Sequence, residues 1–196
     1  MNKSKLNSKK LFLLLLYSPG ITENLNEPIR GRTRIVKAMF LFEEEIKKKF
    51  IKNSNIEDIE MPDFYAWDYG PFSKEVYNDI EFFINNGFIE NQFLQDELSI
   101  FEFNEFLNWA DDYMFDDEKG FLLNYDKEEE FRLTDTGIKY IQKTALFESL
   151  TTNQKKILKD FKETINKASL EAILRYVYLK YPEYTKKSKI KDRIIG

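Results

Sequence analysis

The sequence contains no cysteine and no histidine. Without cysteine there is no disulfide, no thiolate nucleophile and no thiolate metal ligand. Without histidine there is no imidazole ligand, no Ser-His-Asp triad and no side chain whose ordinary pKa suits a general base near neutrality. Glycine is scarce too: its seven residues lie singly, so no glycine-rich loop can cradle a phosphate. Only carboxylate metal sites, carboxylate pairs and Ser/Lys chemistry survive, and the expectation is a non-enzyme with no cofactor and no metal. A membrane-length apolar run is also missing. Leu11–Tyr17 follows Lys3, Lys5, Lys9 and Lys10 and imitates a secretory leader, but no Ala-x-Ala site follows and the run is too short to span a bilayer. It reads as a buried first helix ending at Ser18-Pro19-Gly20, with the cytoplasm as the default location.

What is present favours a packed core. Of 196 residues, 42% are hydrophobic and 16% aromatic, which is ample for a phenylalanine-rich interior. Charge is banded. Residues 1–37 carry +6, residues 38–153 carry −17 and residues 154–196 carry +7. An acidic body between basic ends suits two readings: the ends bind a polyanion or a partner, or they fold back on the acidic body.

Helical signals are clear in five places. Thr33 is a candidate cap for a helix over 34–50, with Ile35, Ala38, Met39, Phe42 and Ile46 inward. Ser73 caps the next, with Val76, Ile80, Phe83 and Ile84 inward, and Asn85-Asn86-Gly87 stops it. Phe88-Ile89 then begins an extended stretch. An acidic connection over 91–130 holds a strand candidate at Leu98–Phe103 and a helix candidate at Phe106–Met114. Phe131-Arg132-Leu133 reads as a strand, so the two extended stretches frame a β-wing. Thr134 caps a helix over 135–145, Thr151 and Gln154 form a capping box for 152–166, and Ser169 caps 170–181, which Pro182 ends. The tail 185–196 is expected to fray.

Two segments carry the chemistry. In Arg30-Gly31-Arg32-Thr33-Arg34, with Lys37 one turn on, guanidinium forks stand at a helix start where phosphates or carboxylates would bind. The same arginines could instead pair with the protein's own acidic body. In Tyr65-Ala66-Trp67-Asp68-Tyr69-Gly70-Pro71-Phe72-Ser73, Gly-Pro before a capped helix fixes a turn at Tyr69, Gly70, Pro71, Phe72 and Ser73. The aromatics are expected to pack that turn on the core, a stacking platform for bases being the alternative.

Gly31-Arg32-Thr33-Arg34, Tyr69-Gly70-Pro71-Phe72-Ser73, Gly87-Phe88-Ile89-Glu90 and Leu133-Thr134-Asp135-Thr136-Gly137 occur in that order. With Leu174–Tyr178 and Tyr181–Thr185 they resemble the YwgA-like bacterial proteins over about residues 8–193, and more distantly the Panacea (SocA-like) antitoxin domain. The resemblance implies a winged-helix-like fold and roles as antitoxins, transcription regulators or adaptor-like partners, often in defence systems.

The expectation is therefore an α+β chain, mainly α with a small β-wing. Residues 1–150 form a winged-helix-like domain, and residues 151–196 a helical extension packed on it or at a dimer contact. The expected partner is another protein, a toxin or effector complex, with DNA binding by a regulator as the alternative and a homodimer compatible with both. The candidate contact residues are Arg30, Arg32, Arg34, Lys37, Lys74 and Arg175. Against DNA, the helix after the turn sets Lys74 against Glu75, Asp79 and Glu81, and an acidic wing repels phosphate. A metal nuclease built on Asp63 with Asp117-Glu118-Lys119 is the minor alternative.

Overall fold

The computed structural model describes residues 4–93 and 129–195. The chain folds around helix α1 (Ser8–Tyr17), whose residues Leu11 to Tyr17 are all buried. A run apolar on every side is what a helix enclosed by other elements requires. Asn7 caps it, its side-chain oxygen accepting the Lys10 N–H at 3.0 Å, and Ser18 ends it. Strand β1 (Ser4–Asn7) leads into α1 and pairs in parallel with β3 (Ile56–Glu60).

A three-stranded antiparallel sheet lies against this helix. Strands β2 (Ile29–Arg30), β6 (Ile89–Phe93) and β7 (Glu129–Leu133) run in the order β2-β7-β6. Along β7, Glu129, Phe131 and Leu133 alternate inward, the period-two burial of a strand with one covered face. Cross-strand charges complete the outer face: Arg132 Nε donates to Glu90 Oε1 at 2.6 Å and Arg30 Nε to Glu130 Oε2 at 3.4 Å.

Helix α2 (Arg32–Leu41) starts one residue before Thr33, with Gly31 as its N-cap and no side-chain cap. It does not continue as one α-helix to residue 50. Residues Phe42–Ile46 form a wide π-helical turn, followed by α3 (Lys47–Ile51). Phe42, the first residue of that turn, and Phe50 beyond it remain buried, their rings 5.5 Å apart. Strands β4 (Tyr65–Trp67) and β5 (Gly70–Phe72) make a tight hairpin, then Ser73 caps α4 (Lys74–Asn85) by accepting the Val76 N–H. The hairpin and the β1–β3 pair escape the helical periodicity because each strand is five residues or fewer.

Helix α5 (Asp135–Lys143) follows Thr134, whose hydroxyl accepts the Gly137 N–H. Helices α6 (Thr152–Lys167) and α7 (Leu170–Lys180) follow, α6 with the full Thr151–Gln154 capping box. Ile157, Leu158, Phe161, Ile173, Leu174 and Val177 join the same continuous core as α1 and α2. The tail is ordered: a 3-10 turn at Pro182–Thr185 and helix α8 (Lys191–Ile195) bury Thr185 and Ile194. Phe40 draws it in, with the Tyr181, Tyr184 and Phe64 rings 5.0, 4.9 and 5.4 Å away. The architecture is α-rich with small sheets, an α+β chain. Among the described residues no helix is long and apolar enough to cross a membrane. The strand candidate at 98–103, the helix candidate at 106–114 and Asp117-Glu118-Lys119 lie outside the described residues.

Candidate interaction surfaces

The arginine-rich start of α2 is a hub of internal bonds. Arg32 Nε lies 2.5 Å from Glu129 Oε2 on β7, and Nη1 pairs with Glu81 on α4. The Tyr77 and Phe131 rings flank its guanidinium, each 5.4 Å away. Burial disfavours the cation, but the hydrogen bonds and charges of Glu129 and Glu81 outweigh it and raise the Arg32 pKa. Glu129 also accepts from Asn91 Nδ2 at 3.0 Å, so one buried carboxylate of β7 ties α2 to β6 as well. Arg34 turns the other way: Nη1 donates to the carbonyls of Ile165, at 2.6 Å, and Ala168, closing the C-terminal end of α6. Arg30 keeps an exposed side chain beside Glu130.

Lys37 corrects the expected contact set. It is 2% exposed, and Nζ donates to the Pro71 carbonyl at 2.8 Å. Its place on α2 turns it inward, where burial lowers its pKa to about 7. A partner on the surface cannot reach it. Lys74 is exposed at the first turn of α4, and Arg175 is exposed on α7, where Nη1 donates to the Ile194 carbonyl at 3.2 Å. Arg30, Arg32 and Arg34 are thus brought together by the chain, and Lys74 and Arg175 stand on separate helices.

The Tyr69–Ser73 turn sits over the interior. Tyr69, Gly70, Pro71 and Ser73 are buried and Phe72 is half-buried. Gly70 has φ of +83°, and a Cβ there would meet the Tyr178 ring at 2.8 Å, so both backbone and space call for glycine.

The aromatics just before the turn do not pack inward. Tyr65 is 41% and Trp67 43% exposed, side by side on β4. Their rings are perpendicular with centroids 5.9 Å apart, and Phe72, paired across the hairpin with Tyr65, closes the set at 5.7 and 6.2 Å. At these spacings the three rings pack on one another and form an exposed ridge. The signal for this face was present in the sequence: Tyr65 and Trp67 stand two apart before a turn, the spacing of one strand face. Lys189 fixes the hairpin from the tail, with Nζ 3.0 Å from Asp68 Oδ2 and its N–H donating to the Asp68 carbonyl at 3.0 Å.

A groove of about 450 Å³ opens between the π-helical turn, α6 and α7. Leu41, Ile46, Phe161, Ile165, Ala172 and Ile173 form its apolar walls, and Glu45, Lys49, Asp160 and Tyr176 mark its rim. Glu45 accepts from the hydroxyls of Tyr176 and Tyr181 and lies 3.1 Å from Lys180 Nζ, so its charge is already answered.

Among the described residues no group of three or more carboxylates converges as a metal site would require. Asp63 lies exposed. No family model, curated protein or solved structure matches the chain.

Proposed function

We propose that the chain is a winged-helix-like, non-catalytic binding protein that engages another protein as an accessory or antitoxin-like subunit. The topology supports the winged-helix reading: α1, β2, α2 and α4 precede the antiparallel pair of β6 and β7, and β2 lies on the far side of β7. A fold of this kind says nothing about its partner, which must be argued from surfaces.

The exposed aromatic ridge on β4 carries the partner reading. Tyrosine and tryptophan that are half-exposed, rigid and adjacent are the residue types that anchor protein interfaces. Direct DNA reading has less support. Helix α4 offers solvent Lys74, Glu75, Asn78, Phe82 and Asn85, a face close to neutral. DNA affinity rests on uncompensated Lys and Arg, whereas Arg32 and Arg34 are spent on internal acceptors.

The test has two arms. Wild-type protein is expected to leave the anisotropy of a labelled random duplex unchanged at low salt. Native co-purification is expected to retain a partner protein that Tyr65→Ala/Trp67→Ala loses while unfolding at the same temperature. Salt-sensitive duplex binding that Arg30→Ala/Lys74→Ala abolishes would replace this reading with that of a DNA-binding regulator.

A further inference from the structure

Five cations, Lys186, Lys187, Lys189, Lys191 and Arg193, fall within eight residues of the tail. Elsewhere the protein answers many of its cations internally: Arg32 on Glu81 and Glu129, Arg132 on Glu90, Lys180 on Glu45. In the tail Lys189 is answered in that way, by Asp68. Lys186, Lys187, Lys191 and Arg193 form no ion pair with any described residue. Lys186, Lys187 and Arg193 are exposed and Lys191 is half-buried. The acids of the segment do not cancel them: Glu183 lies beside Glu44 of the π-helical turn, and Asp192 stands between Lys191 and Arg193.

This segment is held beside the aromatic ridge. The 3-10 turn at Pro182–Thr185 packs on β4 and β5, and Lys186 follows it directly. Three residues on, the Lys189 N–H and Nζ both bond to Asp68, the residue after Trp67. Chain reach then places Lys187 within about 15 Å of Trp67, the span of about five extended residues.

We propose that ridge and tail form one composite docking surface for an acidic segment of the partner protein. An apolar or aromatic side chain of that segment sits on Tyr65 and Trp67. Asp or Glu residues within about five positions of it lie over Lys186 and Lys187, with Lys191 and Arg193 adding to the field. This rests on the reading of the ridge as a protein-binding face. The rings supply rigid anchor area, and the unanswered cations select the sign of what flanks the anchor. Tyr65 and Trp67 stand at 89° to each other, which suits a single lodged side chain better than a run of bases stacked in parallel.

The experiment is fluorescence anisotropy of the full chain with three labelled probes. One is a peptide of about ten residues with a central Leu-Phe pair flanked by Glu, the second its Gln counterpart, the third oligo(dT). The acidic peptide is expected to bind, and to weaken as salt rises. Lys186→Glu/Lys187→Glu is expected to weaken it at least about tenfold, and Lys186→Arg/Lys187→Arg to retain it. Tyr65→Ala/Trp67→Ala is expected to abolish it. The same charge change outside the tail, Lys52→Glu/Lys156→Glu, is expected to alter it less than about twofold. Lys186 and Lys187 are exposed, so their variants are expected to keep the wild-type unfolding temperature.

No binding at low salt, equal binding of the Gln peptide, or binding that survives loss of the ridge overturns the inference. Tighter binding of oligo(dT) replaces it with single-stranded nucleic acid. Co-purification of a partner that Tyr65→Ala/Trp67→Ala loses and Lys186→Glu/Lys187→Glu keeps overturns this inference alone, and leaves the ridge as that partner's site.

Discussion

Lys37 Nζ reaches the Pro71 carbonyl across 2.8 Å in a site with almost no solvent contact, so a helix and a hairpin are held together by a buried amine. Lys162 does the same elsewhere, donating to the carbonyls of Leu16 and Ser18 at 2.7 and 2.6 Å. Burial holds both groups at about 7 in place of 10.5, the nearby charge of Glu27 partly opposing it at Lys162. Between those values the unfolded chain binds more protons than the folded one, so these lysines make stability rise with pH across that window. The slope is up to about 1.4 kcal/mol per pH unit for each lysine. Urea unfolding of wild type between pH 7 and 9 is expected to show this rise, and Lys37→Met to remove about half of it.

Glu27 has the opposite dependence. Burial alone would raise its pKa. Hydrogen bonds from the Thr22 hydroxyl, the Thr22 N–H, Asn166 and the Ile21 N–H prevail and lower it from 4.5 to about 2. The stability it contributes is present above 4.5 and is lost as pH falls toward 2. Glu27→Gln is expected to cost about 1–3 kcal/mol at neutral pH, and the gap from wild type to close in acid. Chemical denaturation at the two pH extremes measures it.

The Arg32–Glu129 pair is expected to behave as a buried unit. Arg32→Met strips the buried Glu129 carboxylate of its ion pair, at a cost of about 3–5 kcal/mol. Glu129→Gln alone should also destabilise. The double variant should cost less than the sum of the two. A double-mutant cycle on unfolding free energies reads the coupling, and strict additivity would show that the pair is solvated.

Gly137 is fixed by lack of space. A Cβ there would lie 2.3 Å from the Phe88 carbonyl oxygen, and that backbone is tied by the Thr134 N–H at 3.0 Å. Gly137→Ala, which in an open helix would stabilise, is expected here to destabilise by about 2 kcal/mol or more. Thermal unfolding of that variant beside Gly87→Ala, where the added methyl meets nothing within 4 Å, separates packing from backbone strain.

The helices were legible because caps and apolar spacing are local. Ser73, Thr134, Thr151 and Ser169 each accept the N–H their position implies. Thr33 was misleading because the turn of β2 into α2 is closed by the Gly31 N–H bonding to the Glu129 carbonyl at 2.7 Å, a partner almost a hundred residues away. The same distance in sequence hid the fate of the arginines. Nothing near Arg32 announces Glu81 and Glu129, and nothing near Arg34 announces the end of α6. Lys37 occupies a helical position that reads as solvent-facing until α2 is covered on a second side by the hairpin. The tail looked loose by composition alone, yet Phe40 and Asp68 supply its anchors.

That anchoring has a thermodynamic consequence. The bonds of Lys189 to Asp68 join the tail to the turn that follows Trp67 on β4, so the posture of the ridge and the docking of residues 182–195 are one linked equilibrium. A partner that clamps the ridge must slow the opening of the tail, and releasing the tail must weaken the partner by the same factor. Amide exchange at Ser188–Ile194 therefore reports occupancy of a surface that those residues need never touch.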